Sequence, residues 1–182
     1  MNSNLIYRVP KLYSKQSCKK LINFFDNNVS KATKGRYGDK KLNNLEITID
    51  IVRSQDWFNL GEALMKGINN YKKQCVYLDT NISPWSYCIS AQLCRYEPNN
   101  YYSEVHCENG GDKDSLKRVF AWMFFLNDIK KGGGTEFILQ KYVAKPKAGD
   151  FYIWPAYWTH FHRGVKAPKE RKYIVTGWCE YV

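Results

Sequence analysis

Apolar positions recur at two different periods along the chain, and the change of period falls near Pro84. Before it, SKQSCKKLINFFDNNV (14–29) places Cys18, Leu21, Ile22 and Phe25 on one face of a helix, with Ser14 as its N-cap. SQDWFNLGEALMKGINNYKK (54–73) repeats the pattern with Trp57, Leu60, Leu64 and Ile68, although Gly61 and Gly67 weaken its regularity. Between the two helices, 30–44 is rich in Lys, Gly, Asn and Asp and lacks apolar periodicity, which predicts a long exposed loop, while LEITIDIV (45–52) reads as a strand. From Pro84 onward, short apolar or alternating runs are broken by the turn-forming EPNN, NGGDKD, GGG and AGD. They predict strands over 85–95, 101–107, 117–126, 135–139, 141–146, 150–154, 158–165 and 172–179. About eight strands of this spacing suit a double-stranded β-helix, or jelly roll. The expected class is therefore mainly β with N-terminal helices (α+β), one domain over 1–182, in which 1–83 supports a jelly-roll core at 84–182.

A chain of 182 residues can bury a core without disulfide staples. Its six cysteines are irregularly spaced and form no CxxC pair, which points to reduced thiols rather than a zinc ribbon or a redox motif. The N-terminus lacks the apolar core of a signal peptide and no stretch approaches a membrane span, so a soluble, cytoplasmic protein is expected. The formal charge of +11 is large, yet the 28 Lys and Arg residues are scattered. A diffuse positive field favours acidic partners generally: nucleic acid, an acidic protein surface or a small anionic cosubstrate. Without a basic stripe or a nucleic-acid module, nucleic acid is the less favoured of these. The 16% aromatic content lies mostly in strand-like runs and reads as core and pocket wall rather than as base-stacking platforms.

All three histidines fall in the stretch from Asn99 to Lys172. His106 and Glu108 are two apart, so an extended backbone turns both to one face, and the turn beginning at Asn109 lets them converge on one ion. Another histidine some fifty residues later completes the two-histidine, one-carboxylate pattern of a non-haem iron oxygenase. His160 and His162 are also two apart, and strand alternation does not choose between them. Such a site leaves positions open for a bidentate 2-oxo acid and O2, and the far carboxylate of that acid needs a fixed cation. Lys172, ten residues after His162 on what reads as the next strand, could supply it. An ammonium directed into so aromatic a barrel is costly unless it meets an anion.

At these residues the sequence resembles a known family. The HxE triplet, FLNDIKKGGGTEF, VAKPKAGDFYIWP, HRGV and KYIVTGW are similar, in order, to motifs of the 2-oxoglutarate and Fe(II)-dependent oxygenases, on their prolyl 4-hydroxylase-like branch. The resemblance covers about residues 84–179. It implies His106, Glu108 and His162 as metal ligands, with His160 in a supporting or substrate-side role. It further implies Lys172 for the 5-carboxylate of 2-oxoglutarate, Tyr96 and Thr135 for the same cosubstrate, and Tyr102, Arg118 and Trp178 for the substrate groove. Segment 30–44 takes the place of a mobile substrate-covering loop, a lid candidate. In one departure, the family usually has aspartate where this chain has Glu108, which still offers a hard oxygen ligand.

The activity so implied is hydroxylation of a peptidyl side chain, with proline the leading acceptor. Fe(II), 2-oxoglutarate and O2 would be consumed or used, succinate and CO2 released, and ascorbate would serve as reductant. An oxygenase acting on nucleic-acid bases and a catalytically degenerate jelly-roll binding protein are the alternatives. A hydrolytic zinc enzyme ranks last, because it needs neither Lys172 nor the GGGTEF strand.

Overall fold

Helix α1 (Lys15–Asn27) begins where the sequence directs it, with the Ser14 hydroxyl accepting from the Ser17 amide at 3.0 Å. It buries Cys18, Leu21 and Phe25. A 3-10 turn (Gln55–Trp57) precedes α2 (Phe58–Gln74), which buries Leu60, Leu64, Ile68 and Tyr71. Gly67 is required on that face, since a Cβ there would stand 2.6 Å from the ring of Phe151. The computed structural model describes residues 4–37 and 40–182.

Eleven strands occur among the described residues: β1 (Tyr7–Val9), β2 (Thr33–Tyr37), β3 (Lys40–Asp50), β4 (Trp85–Tyr87), β5 (Ser90–Tyr96), β6 (Arg118–Phe125), β7 (Thr135–Phe137), β8 (Tyr142–Ala144), β9 (Phe151–Pro155), β10 (His162–Gly164) and β11 (Lys172–Tyr181). An eight-stranded sheet runs in the order β1-β9-β6-β11-β5-β3-β2, with β4 also on β11, and β10-β7-β8 form a second sheet. The two sheets make the jelly roll expected from the sequence. One apolar cluster, including Leu21, Phe25, Leu64, Trp122 and Phe124, packs the helices on the large sheet. A second, including Met123, Phe137, Trp154 and Ile174, lies between the sheets and surrounds the site.

Four of the strand and loop expectations need correction. The single strand expected over 85–95 divides into β4 and β5, which pair with different parts of β11. Segment 30–44 holds β2 and the start of β3, paired antiparallel, with residues 38 and 39 of the candidate lid outside the described set. Its polar character misled the reading because β2 is the edge of the sheet, and Asn44 and Glu46 on β3 face the cavity rather than a core. Segment 101–107 is irregular apart from a bridge between His106 and His162. Over 158–165, a 3-10 turn (Trp158–His160) comes first and only 162–164 is strand.

Candidate active site

Strands from both sheets converge on a cavity of about 310 Å3. β10 brings His162, β5 brings Tyr96, β6 brings Arg118, β7 brings Thr135, and β11 brings Lys172 and Trp178 at its two ends. The irregular segment between β5 and β6 adds Tyr102, His106 and Glu108. All nine sequence-selected residues thus line one cavity.

The backbones of His106 and His162 lock together, each amide donating to the other's carbonyl at 3.0 and 2.8 Å. The amides of Glu108 and Asn109 both donate to the carbonyl of Ala156, which fixes the turn that aims the carboxylate. Each ring is oriented by its Nδ1, which lies 3.0 Å from the Glu104 carbonyl in His106 and 2.9 Å from the His160 carbonyl in His162. A carbonyl only accepts, so both Nδ1 atoms carry the proton, and each Nε2 faces Glu108 as a lone pair in the neutral, metal-ligating ring and as a second N–H in the protonated one. Glu108 Oε1 stands 3.2 Å from Nε2 of His162 and 3.6 Å from Nε2 of His106, and one donor atom from each residue falls within 4.8 Å of the others.

The second carboxylate oxygen is held as well. Trp178 Nε1 donates to Glu108 Oε2 at 2.7 Å. Arg118 lies 3.9 Å over the Trp178 ring and donates to the Glu108 carbonyl at 3.1 Å. Burial raises the cost of charge on Glu108, but hydrogen bonds from the two histidines outweigh it and hold its carboxyl well below the usual range. Burial likewise opposes protonation of His106, and the Glu108 carboxylate overrides it, so this imidazole is pushed up.

At the other end of the cavity, Lys172 is 4% exposed, with its ammonium 4.3 Å from the centroid of the Tyr96 ring. Burial lowers its pKa from 10.5 to about 8, and no carboxylate among the described residues pairs with it. Thr135 is buried on the facing small sheet, in register with Gly164 two residues past His162.

A family model described as the 2OG-Fe(II) oxygenase superfamily matches residues 91–180, the span that holds every residue just described. The chain belongs to the 2-oxoglutarate and Fe(II)-dependent oxygenase superfamily. As a member it is a 2-oxoglutarate-dependent dioxygenase, of a superfamily that uses Fe(II), 2-oxoglutarate and O2. No curated protein matches its sequence. Among solved structures it is similar to the viral collagen prolyl hydroxylase of Paramecium bursaria Chlorella virus-1 in its 2-oxoglutarate complex, at a TM-score of 0.76 and 19% identity, covering 100% of this chain and 98% of that one. A Pseudomonas putida prolyl-4-hydroxylase is similar at 0.71 and 14% identity, covering 99% and 94%. A Trichoplax adhaerens prolyl hydroxylase, in complex with a peptide fragment of the hypoxia-inducible factor oxygen degradation domain, is similar at 0.74 and 12% identity, covering 98% and 84%. At these identities the likeness establishes a prolyl hydroxylase-like fold.

The residues of this oxygenase suit the superfamily's cofactors. Two imidazole nitrogens and one hard carboxylate oxygen are the donor set of a ferrous site with open positions. A buried cation with no carboxylate partner among the described residues fits a dicarboxylate cosubstrate. His160 lies apart, buried, with Nε2 2.9 Å from the Asn4 carbonyl and Nδ1 3.0 Å from the Thr159 hydroxyl. The 3-10 turn breaks the alternation that made it a rival of His162, and its own carbonyl serves to orient that histidine. Sequence reasoning missed Asn44 and Glu46, which also line the cavity. The signal was present in LNNLEITI, where Asn44, Glu46 and Thr48 alternate with Leu45, Ile47 and Ile49.

Proposed function

We propose that this oxygenase hydroxylates a proline in a peptide, converting 2-oxoglutarate to succinate and CO2, as a single domain acting in the cytoplasm with ascorbate as reductant. The observation that carries the cosubstrate assignment is Lys172, a buried cation with no carboxylate partner among the described residues, which lines the same cavity as the two histidines and Glu108. The peptidyl acceptor is supported by the shared fold with prolyl hydroxylases, one of them holding a peptide. All six cysteines are free, consistent with a reducing compartment, and no described helix is long and apolar enough to cross a membrane.

His106, His162 and Glu108 Oε1 would hold Fe(II), whose chemistry when bound is activation of O2 coupled to oxidative decarboxylation of the 2-oxo acid. The protein's own contribution is positional. The carbonyls of Glu104 and His160 fix the imidazoles, and the Trp178 indole keeps Glu108 Oε2 engaged so that Oε1 alone faces the histidines. The Lys172 ammonium, with Tyr96 and Thr135, would bind the distal carboxylate and so set the reach of the 2-oxo acid. Tyr102, stacked on His106 at 4.1 Å, and Arg118, stacked on Trp178, would form the walls between which the peptide lies.

The test is succinate formation by the purified protein with Fe(II), ascorbate and 2-oxoglutarate, with proline-rich peptides or an alkylated oligonucleotide added separately. Stimulation by peptide, with one oxygen atom gained on proline by mass spectrometry, is expected. Stimulation by the oligonucleotide alone would overturn the peptidyl assignment.

A further inference from the structure

A second unpaired charge faces the same cavity, of opposite sign to Lys172. Glu46, on β3, is half-buried and has no cationic partner among the described residues. It accepts a hydrogen bond from the Asn44 carboxamide, Nδ2 to Oε2 at 3.3 Å. That bond assigns the amide: Nδ2 faces the carboxylate, which leaves Oδ1 as the remaining acceptor. Asn44 is 6% exposed, and this Oδ1 is buried with no hydrogen-bond partner. A buried acceptor left unmatched costs free energy, and native structures seldom leave one without reason.

The neighbouring strand leaves room for the pair. Gly35 on β2 is buried against them, and a Cβ at that position would collide with Asn44 Oδ1 and stand 2.8 Å from Glu46 Oε2. Glu46 pairs across β5 with Cys94, which is in turn opposite Ile174 on β11, so the acceptors sit two strands from the β11 residues that line the cavity. 2-Oxoglutarate cannot satisfy them, because at neutral pH its carboxylates are acceptors only. The peptide, the other molecule that enters the cavity, can carry such donors.

We propose that Asn44 and Glu46 form a subsite for a cationic side chain of the peptide substrate, a lysine or arginine close in sequence to the hydroxylated residue. The subsite rests on the peptidyl reading of the active site. An ammonium or guanidinium supplies several donors and a charge, matching one amide oxygen and one carboxylate at once. The protein's overall charge of +11 works against such a substrate at long range, so a preference for a basic peptide would have to arise locally.

The experiment measures equilibrium binding of labelled proline-containing peptides that differ only in Lys, Gln or Glu at each of the two positions on either side of the proline. Fluorescence anisotropy is read with Zn(II), which has no redox chemistry, and 2-oxoglutarate present. At one position or more the Lys peptide should bind about tenfold more tightly than the Glu peptide. Glu46→Gln should reduce that ratio to near one, Glu46→Lys should invert it, and Asn44→Ala should weaken the Lys peptide alone. A wild-type protein with no Lys preference, or a Lys-to-Glu ratio unchanged by Glu46→Gln, overturns the subsite. Consumption of 2-oxoglutarate with Fe(II), measured on the same preparations, keeps the two readings apart. Turnover without Lys preference refutes the subsite alone, and absent turnover refutes the oxygenase assignment whatever the ratio shows.

Discussion

Replacing Lys172 should affect cosubstrate binding and stability in opposite directions. The ammonium is 4% exposed and its pKa falls from 10.5 to about 8 because burial penalises the charge. At 1.36 kcal/mol per decade, that is about 3 kcal/mol of cost to the cosubstrate-free fold. The folded pKa lies below the unfolded one, so between pH 8 and 10.5 the unfolded chain binds more protons and stability rises with pH; the full penalty is present at pH 7. Lys172→Met should therefore raise the melting temperature of the free protein. The same variant should weaken 2-oxoglutarate by roughly 30- to 1000-fold, the usual loss for truncating one partner of a buried charged pair. In the wild type, a lysine with a pKa of about 8 is roughly one-tenth charged at pH 9, which should weaken 2-oxoglutarate about tenfold from pH 7. Lys172→Arg, which stays protonated, should flatten that pH dependence even if its affinity is lower. Calorimetric titration of 2-oxoglutarate at pH 7, 8 and 9 reads all three proteins. Equal affinity in wild type and Lys172→Met, or one pH slope shared by wild type and Lys172→Arg, would refute the assignment.

Metal analysis separates the histidines: His106→Ala and His162→Ala should lose bound Fe(II), while His160→Ala should keep it, because only its backbone carbonyl serves His162. Equal loss in the His160 and His162 variants would sink that assignment. Trp178→Phe removes the 2.7 Å hydrogen bond to Glu108 Oε2 and should weaken metal binding about tenfold in a competition titration, with the melting curve little changed. Gly67→Ala gains helix propensity but forces a Cβ to 2.6 Å from the fully buried Phe151 ring, so a net loss of about 1–2 kcal/mol is expected by thermal melting. An unchanged or raised melting temperature would show that α2 can shift away from β9.

The two helices were legible because each has one apolar face and meets one sheet, so periodicity and burial coincide in Leu21, Phe25, Leu60 and Leu64. The buried strand β6 was legible for the same reason, since RVFAWMFF is apolar on both faces and covered on both. Segment 101–107 defeated the pattern because its backbone is held by the His106–His162 bridge rather than by a ladder, and alternation of side chains says nothing about that. β3 failed differently: its first five residues, KKLNN, hold one apolar residue and show no period, so they looked like a loop, whereas from Leu45 the alternation of Leu45, Ile47 and Ile49 is visible. The nine candidate site residues lie within the resemblance, and the structure gathers them in one cavity. Asn44 and Glu46 lie outside it and emerged only from the fold.

Glu108 shows how a departure from the family pattern can be absorbed. A glutamate has one more rotatable bond than an aspartate, and a loosely held carboxylate could present either oxygen, or both, to a metal. Here the choice is removed on three sides. The amides of Glu108 and Asn109 are tied to Ala156, the Glu108 carbonyl accepts from Arg118, and Oε2 accepts from Trp178, which Arg118 in turn covers at 3.9 Å. Only Oε1 is left toward both imidazoles. Pre-organisation of this kind recovers the entropy that the longer side chain would otherwise lose on binding an ion. It also makes Arg118 and Trp178 part of what fixes Glu108, beside the groove role proposed for them. Glu108→Asp should then depend little on Trp178, because the shorter carboxylate falls short of the indole. The metal affinity lost on Trp178→Phe should shrink in the Glu108→Asp background, and an equal loss in both backgrounds would mean that the indole acts by packing rather than by holding Oε2.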